Sequence, residues 1–194
     1  SQEVVNAVEA GITPKTRFLT ICHINYTDGF VMPVKEICDL ARAKGIITLV
    51  DGAQPPGMMK LDLHELGCDM YAAAGHKYML AAQHTGFLYV REDAADRVQP
   101  LVYTGSPDSD MSGAGKLEQR GSSSYSDLTA MGAALDFHNH LTREAVEARL
   151  RYLTQRLIKG LKAVEGVTVY ASDNPRNSCA LVSFSIRDKK PSDI

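Results

Sequence analysis

Apolar positions recur along the chain with two different periods, and the two alternate. Short apolar runs at Arg17 to Ile24, Ile46 to Val50, Asp69 to Ala74 and Gly86 to Arg91 read as strands. Between the first two, Val34, Ile37, Cys38 and Ala41 fall at helical spacing and predict a helix over Pro33 to Lys44, opened by proline and stopped by Gly45. Asp62 to Leu66 predicts a single helical turn. Ile46 to Val50 is a short, largely β-branched apolar run interrupted by the polar Thr48, of the kind buried on both faces of a parallel sheet. The connection into Gly86 to Arg91 is too short for a helical crossover, which predicts an antiparallel strand there.

Beyond these units the pattern changes. Pro100 to Ser126 is rich in Gly, Ser and Asp and reads as a long functional loop. Asp127 to His140 and Thr142 to Val164 have helical spacing, with Leu150, Leu153, Leu157 and Leu161 as the expected apolar face of the second. Val167 to Tyr170 and Leu181 to Ile186 read as two more strands. The expected class is therefore α/β with a mostly parallel sheet, followed by the beginning of a small α+β unit. The expected division is residues 1–126 and residues 127–194. The chain opens inside a helix-like stretch and stops shortly after a strand-like run, the pattern expected of part of a longer protein.

Composition narrows the function classes. Lys+Arg 21 nearly balances Asp+Glu 23, so no overall field draws the chain to nucleic acid or anionic lipid. No apolar run approaches the roughly 18 residues of a membrane span. Cys22, Cys38, Cys68 and Cys179 are scattered without a CxxC pair and read as reduced thiols of a cytoplasmic protein. His64 and Glu65, or His84, are conceivable metal ligands, but isolated loop histidines are usually solvated and the four cysteines lie too far apart for a zinc site, so no metal site is expected. His138, Asn139 and His140 spell HNH, but they diverge around a helix and argue against a nuclease.

The chemistry is expected at strand ends, because ligands of open α/β sheets gather at the carboxyl edge. Val50 runs into Asp51 of DGAQ, and Ala74 runs through Gly75 into His76 and Lys77. Taken alone, Asp51 is equally a turn cap and Lys77 an ordinary surface lysine. Together they are the acid and the amine that pyridoxal phosphate requires, one for its pyridinium nitrogen and one for its aldehyde.

At these residues the sequence resembles the class V aminotransferases, pyridoxal phosphate enzymes of fold type I that include cysteine desulfurases and isopenicillin N epimerase-like proteins. The resemblance runs from Thr16 to Phe184. It rests on CHINYTDG, PVKEICDLARAKG, LVDGAQ, ELGCDMYAAAGHK and TGFLYVR, with Asp51 and Lys77 separated by 26 positions. It implies the second part of a transferase large domain, with helices on both faces of its sheet, plus the start of a small C-terminal domain. Lys77 would form the Schiff base and move protons at the substrate α-carbon, and Asp51 would pair with the ring nitrogen. Gln54 would donate to the phenolic oxygen and His76 would contact the phosphate. Gly121 and Ser122 of EQRGSSS resemble a loop that reaches the phosphate in a neighbouring subunit, which implies a homodimer. The substrate implied is an amino acid or amine, and the reaction a transamination, an epimerisation or a C–S cleavage.

Two positions depart from the family pattern. Ala74 stands where a phosphate-binding serine is usual, and Tyr26 occupies the second polar position of the His23 to Tyr26 stretch, as in the epimerase-like branch. The parts that carry the family's ring-stacking residue and carboxylate-binding arginine have no counterpart here. The competing expectation is a truncated, non-catalytic α/β module.

Overall fold

The computed structural model describes residues 2–102, 112–118 and 124–193. Helix α1 (Gln2–Gly11) leads into strand β1 (Phe18–Cys22), helix α2 (Val34–Ala43), strand β2 (Ile47–Asp51), the short helix α3 (Leu63–Leu66), strand β3 (Met70–Ala74) and strand β4 (Gly86–Val90). The strands lie in that order in one sheet. β1, β2 and β3 run parallel, and β4 returns antiparallel to β3. Helices α4 (Tyr125–Leu141) and α5 (Arg143–Lys162) follow, and strands β5 (Val167–Val169) and β6 (Phe184–Ile186) form a separate antiparallel pair. This is the α/β architecture the sequence implied, a mixed, mostly parallel sheet flanked by helices, with an α+β segment after it.

Local sequence explains the elements. Pro33 caps α2 with φ of −76°, Glu36 and Arg42 sit at the ends the helix dipole favours, and Val34, Ile37, Cys38 and Ala41 form its buried stripe. Gly45, at φ of +68°, ends the turn that no side-chain-bearing residue takes easily. In α3, Asp62 accepts hydrogen bonds from the backbone N–H groups of His64 and Glu65, both at 3.0 Å, and left-handed Gly67 closes the turn.

One core lies between the sheet and these helices. Val34, Cys38, Val50, Cys68 and Tyr71 are its buried centre, with Ile21, Phe87 and Tyr89 packed on it from neighbouring strands. The alternate residues of the same strands point the other way, and Phe18 and Leu88 on that side remain half exposed.

Register is held at the amino end of β3 by a buried ionic clasp. The Asp69 carboxylate accepts the Thr48 backbone N–H at 2.7 Å, the Thr48 hydroxyl at 2.9 Å and Arg91 Nη2 at 2.7 Å. Arg91 Nη1 and Arg42 Nη2 both donate to the Gly67 carbonyl. A slip of one residue would turn every side chain to the opposite face and break all of these bonds at once, so the clasp acts on alignment more than on net stability. The alignment it enforces sets Cys22 level with Asp51, and Asp51 level with Ala72.

A second core joins the first half of the chain to its tail. Ile24, Val31, Met58 and Cys179 are its buried members, with Tyr78, Leu150 and Leu181 packed around them. Gly29, at φ of +74°, lies so close to Leu181 that a Cβ there would overlap the Leu181 carbonyl oxygen.

Three boundaries differ from the periodic reading. The run from Leu181 is extended only over Phe184–Ile186, because Ala180 takes φ of +60° and Leu181 N–H turns back to Cys179 O at 2.8 Å. On α5 the buried positions are Thr154 and Ile158, whereas Leu153 and Leu157 are left largely exposed. Thr154 is buried because its hydroxyl accepts the Ala180 N–H at 2.8 Å while donating to the Leu150 carbonyl. Within the expected Pro100 to Ser126 loop, Ala114–Glu118 forms a 3₁₀ turn.

Candidate active site

Parallel pairing of β1, β2 and β3 brings their carboxyl ends to one edge. Asp51 is the last residue of β2, and its side chain reaches solvent. His76 and Lys77 follow the end of β3, the neighbouring parallel strand. Gln54 lies on the turn leaving β2. The structure thus collects four of the expected site residues at a single edge; Gly121 and Ser122 lie outside the described residues.

The backbone around Asp51 is tied on both sides. Its carbonyl accepts the His23 N–H at 2.8 Å, and the next N–H, that of Gly52, donates to Ala72 O at 2.7 Å. One carboxylate oxygen, Oδ1, accepts the Ala53 N–H at 2.9 Å, which fixes the direction of the acid. Cys22, level with Asp51 on β1, has its thiol pushed up chiefly by burial, with the Asp51 charge adding to the effect, so it stays protonated at neutral pH.

The Lys77 loop is closed at its base. Gly75 N–H donates to Thr85 O at 2.8 Å, and Ala81 N–H donates to Gly75 O at 2.9 Å. A Cβ on Gly75 would overlap the Thr85 hydroxyl, so glycine is required where the outgoing and returning strands meet. The two motif loops also touch each other. Gly57, at φ of +81°, sits beneath Tyr78, and a Cβ there would overlap the Tyr78 carbonyl and lie 2.6 Å from the Met79 nitrogen. The sequence signal was a Pro-Pro-Gly turn after DGAQ, which periodicity alone does not connect to Lys77.

Asp51 Oδ2 and the side chains of Gln54, His76 and Lys77 make no hydrogen bond or ion pair among the described residues. An acid at the end of β2 and an amide, an imidazole and an amine just past β2 and β3 thus stand near one edge with groups left unbonded. Such a donor set matches a ligand that carries a basic ring nitrogen, an oxygen acceptor, an anionic group and a carbonyl.

Comparison with known proteins decides the family. The sequence profile described as aminotransferase class-V matches residues 2–194. The chain belongs to the class V aminotransferase family. Among relatives of this family, isopenicillin N epimerase of Streptomyces clavuligerus is 32% identical over 198 residues, covering 95% of this chain and 50% of that protein. A probable cysteine desulfurase of Halalkalibacterium halodurans is 33% identical over 197 residues, covering 98% of this chain and 48% of its own length. A solved C-DES variant, with glycine covalently linked to its PLP cofactor, superimposes with a TM-score of 0.83 at 27% identity, over 94% of this chain and 50% of its own. The chain spans about half the length of the curated relatives it matches.

Among the described residues, no helix is long and apolar enough to cross a membrane.

Proposed function

We propose that this chain forms part of a pyridoxal phosphate-dependent enzyme of the class V aminotransferase family, acting on an amino acid or amine. The observation that carries the reading is the unspent set Asp51, Gln54, His76 and Lys77 at one sheet edge. When bound, pyridoxal phosphate supplies an electron-accepting ring that stabilises negative charge at the substrate α-carbon.

This chain's residues supply the rest. Asp51 Oδ2 holds a proton on the ring nitrogen, which keeps the ring electron-poor. Lys77 Nζ would hold the aldehyde carbon of the cofactor and, as a free amine, would move the proton at the substrate α-carbon. Gln54 donates an amide N–H to the phenolic oxygen, and His76 binds the phosphate. Ala74 contributes no hydroxyl, so the phosphate relies on fewer side chains of this strand. Gly121 and Ser122 are assigned to the phosphate of a neighbouring subunit, which makes the working form a homodimer. Residues 1–126 are assigned to the cofactor-binding large domain, and residues 127–194 to connecting helices and the beginning of the small C-terminal domain. The unpaired cysteines accord with a cytoplasmic location.

The test is to mix the whole protein with pyridoxal phosphate, record the visible spectrum, reduce with borohydride and map the labelled peptide. A visible band and a label on Lys77 are expected, both absent in Lys77→Ala. A protein that takes up no cofactor, or carries the label on another lysine, would overturn the assignment and leave the non-catalytic module.

A further inference from the structure

Beneath the Asp51 turn lies a buried pair with no place in the cofactor contacts above. His23 is 4% exposed and Tyr71 fully buried. His23 Nδ1 stands 3.0 Å from the Tyr71 hydroxyl, and the rings meet edge-on with centroids 5.9 Å apart. Each member also touches the backbone that carries the acid. His23 N–H donates to the Asp51 carbonyl at 2.8 Å. The Tyr71 ring lies directly against Gly52: a Cβ there would overlap ring carbon Cε1 and come 2.6 Å from the hydroxyl oxygen.

The pair is electrically silent. Burial pushes the imidazole of His23 down to about 4 and raises the phenol of Tyr71 well above its ordinary value. Both are therefore uncharged at neutral pH, and the link between them is a neutral hydrogen bond in a low-dielectric site, where an unmade bond is costly. A charged support at this position would compete with the ligand for Asp51; a neutral one fixes the turn without changing what the carboxylate attracts.

We propose that His23 and Tyr71 are positioning residues that set the direction of the Asp51 carboxylate by bracing the Asp51 to Ala53 turn from below. The hydroxyl–imidazole bond holds the Tyr71 ring against Gly52, the ring holds the turn, and the turn holds Asp51 Oδ1 on the Ala53 N–H with Oδ2 outward. This rests on the reading that Asp51 Oδ2 holds the proton of the cofactor's ring nitrogen.

The test uses the whole protein and two readouts. Tyr71→Phe keeps the ring against Gly52 and removes only the hydroxyl; His23→Leu removes the other end of the bond and serves if the first variant does not fold. Without cofactor, amide exchange at Ala53 is expected to quicken by about fivefold, the scale of one neutral hydrogen bond. With ring-labelled pyridoxal phosphate, the nitrogen-15 shift is expected to move toward the unprotonated position. Thr154→Val, which weakens the molecule away from the site, is expected to leave both readouts unchanged. If either readout stays at its wild-type value in the Tyr71 and His23 variants, the proposal is overturned. If the wild type takes up no cofactor, the functional reading fails on its own, and Ala53 exchange alone then decides whether the pair braces the turn.

Discussion

A histidine beside a candidate active site invites a role in proton transfer, yet the environment of His23 removes it. Its folded pKa lies near 4 against 6.5 for the free side chain, because burial penalises the imidazolium. The unfolded chain therefore takes up the proton first as pH falls. The cost of His23 to the fold is absent above about pH 6.5 and accumulates between pH 6.5 and 4, reaching about 3 kcal/mol. His23→Gln removes that term. Denaturant unfolding of the wild type and of His23→Gln should show a stability difference that shifts by about 2 kcal/mol in favour of the variant between pH 7 and pH 4.5. A difference that stays constant over that range would mean that His23 titrates normally in the folded protein.

At the scale of elements, α5 shows how polar bonds choose among the stripes a helix offers. Its leucines supply two apolar rows, and the chain buries the row that contains a threonine. Three neighbouring polar side chains account for the choice. Arg151 donates to the Ser178 carbonyl at 2.9 Å and to that of Pro175, Gln155 donates to the Ser178 hydroxyl, and Thr154 receives the Ala180 N–H. The segment before β6 is irregular, and although Ser178 bridges Phe30 and Asn177 O accepts the Val31 N–H, the Ser178 and Ala180 backbone groups facing α5 take their partners from this helix. Thr154→Val conserves shape but leaves the Ala180 N–H without an acceptor. A loss of about 1–2 kcal/mol is expected in chemical denaturation, together with faster exchange of the Ala180 amide. Unaltered exchange there would show that another acceptor takes over.

The row that α5 does not bury matters at the scale of the whole molecule. Leu153 and Leu157 are 40% and 48% exposed, and the exposed Val164, just past the end of the helix, continues the same strip. Leu153, Leu157, Leu161 and Val164 line one shallow groove along the helix. An open apolar strip of this kind attracts apolar probes and other chains. The 194-residue chain is expected to bind anilinonaphthalene sulfonate under native conditions, and the double variant Leu153→Gln/Leu157→Gln to bind less. Because both side chains are already largely in water, the unfolding free energy should move by less than about 1 kcal/mol. Dye fluorescence unchanged in the double variant would locate the exposed apolar area elsewhere, with the half-exposed Phe18 and Leu88 of the sheet as the next place to look.

What the sequence determined by itself was local. Helix α2 and its limits, the parallel run of β1 to β3 and the antiparallel return of β4 follow from periodicity, proline, glycine and connection length, all readable within about a dozen residues. Asp51 and Lys77 stood out as candidates for the same reason, since each follows a strand end, whereas the roles expected of Gln54 and His76 came from the family resemblance. Tertiary structure decided what depends on contacts between distant segments. His23 and Tyr71 are 48 positions apart and meet only because β1, β2 and β3 are aligned. Gly57 meets Tyr78 only once both motif loops leave the same edge, and Thr48, Asp69 and Arg91 form one clasp only in the correct register. Which row of α5 is buried turned on backbone groups of an irregular segment some 25 residues further along, such as the Ala180 N–H that Thr154 accepts. A hydrophobic period states that a face will be covered; which groups cover it is set by register and by where unsatisfied backbone polar groups come to lie.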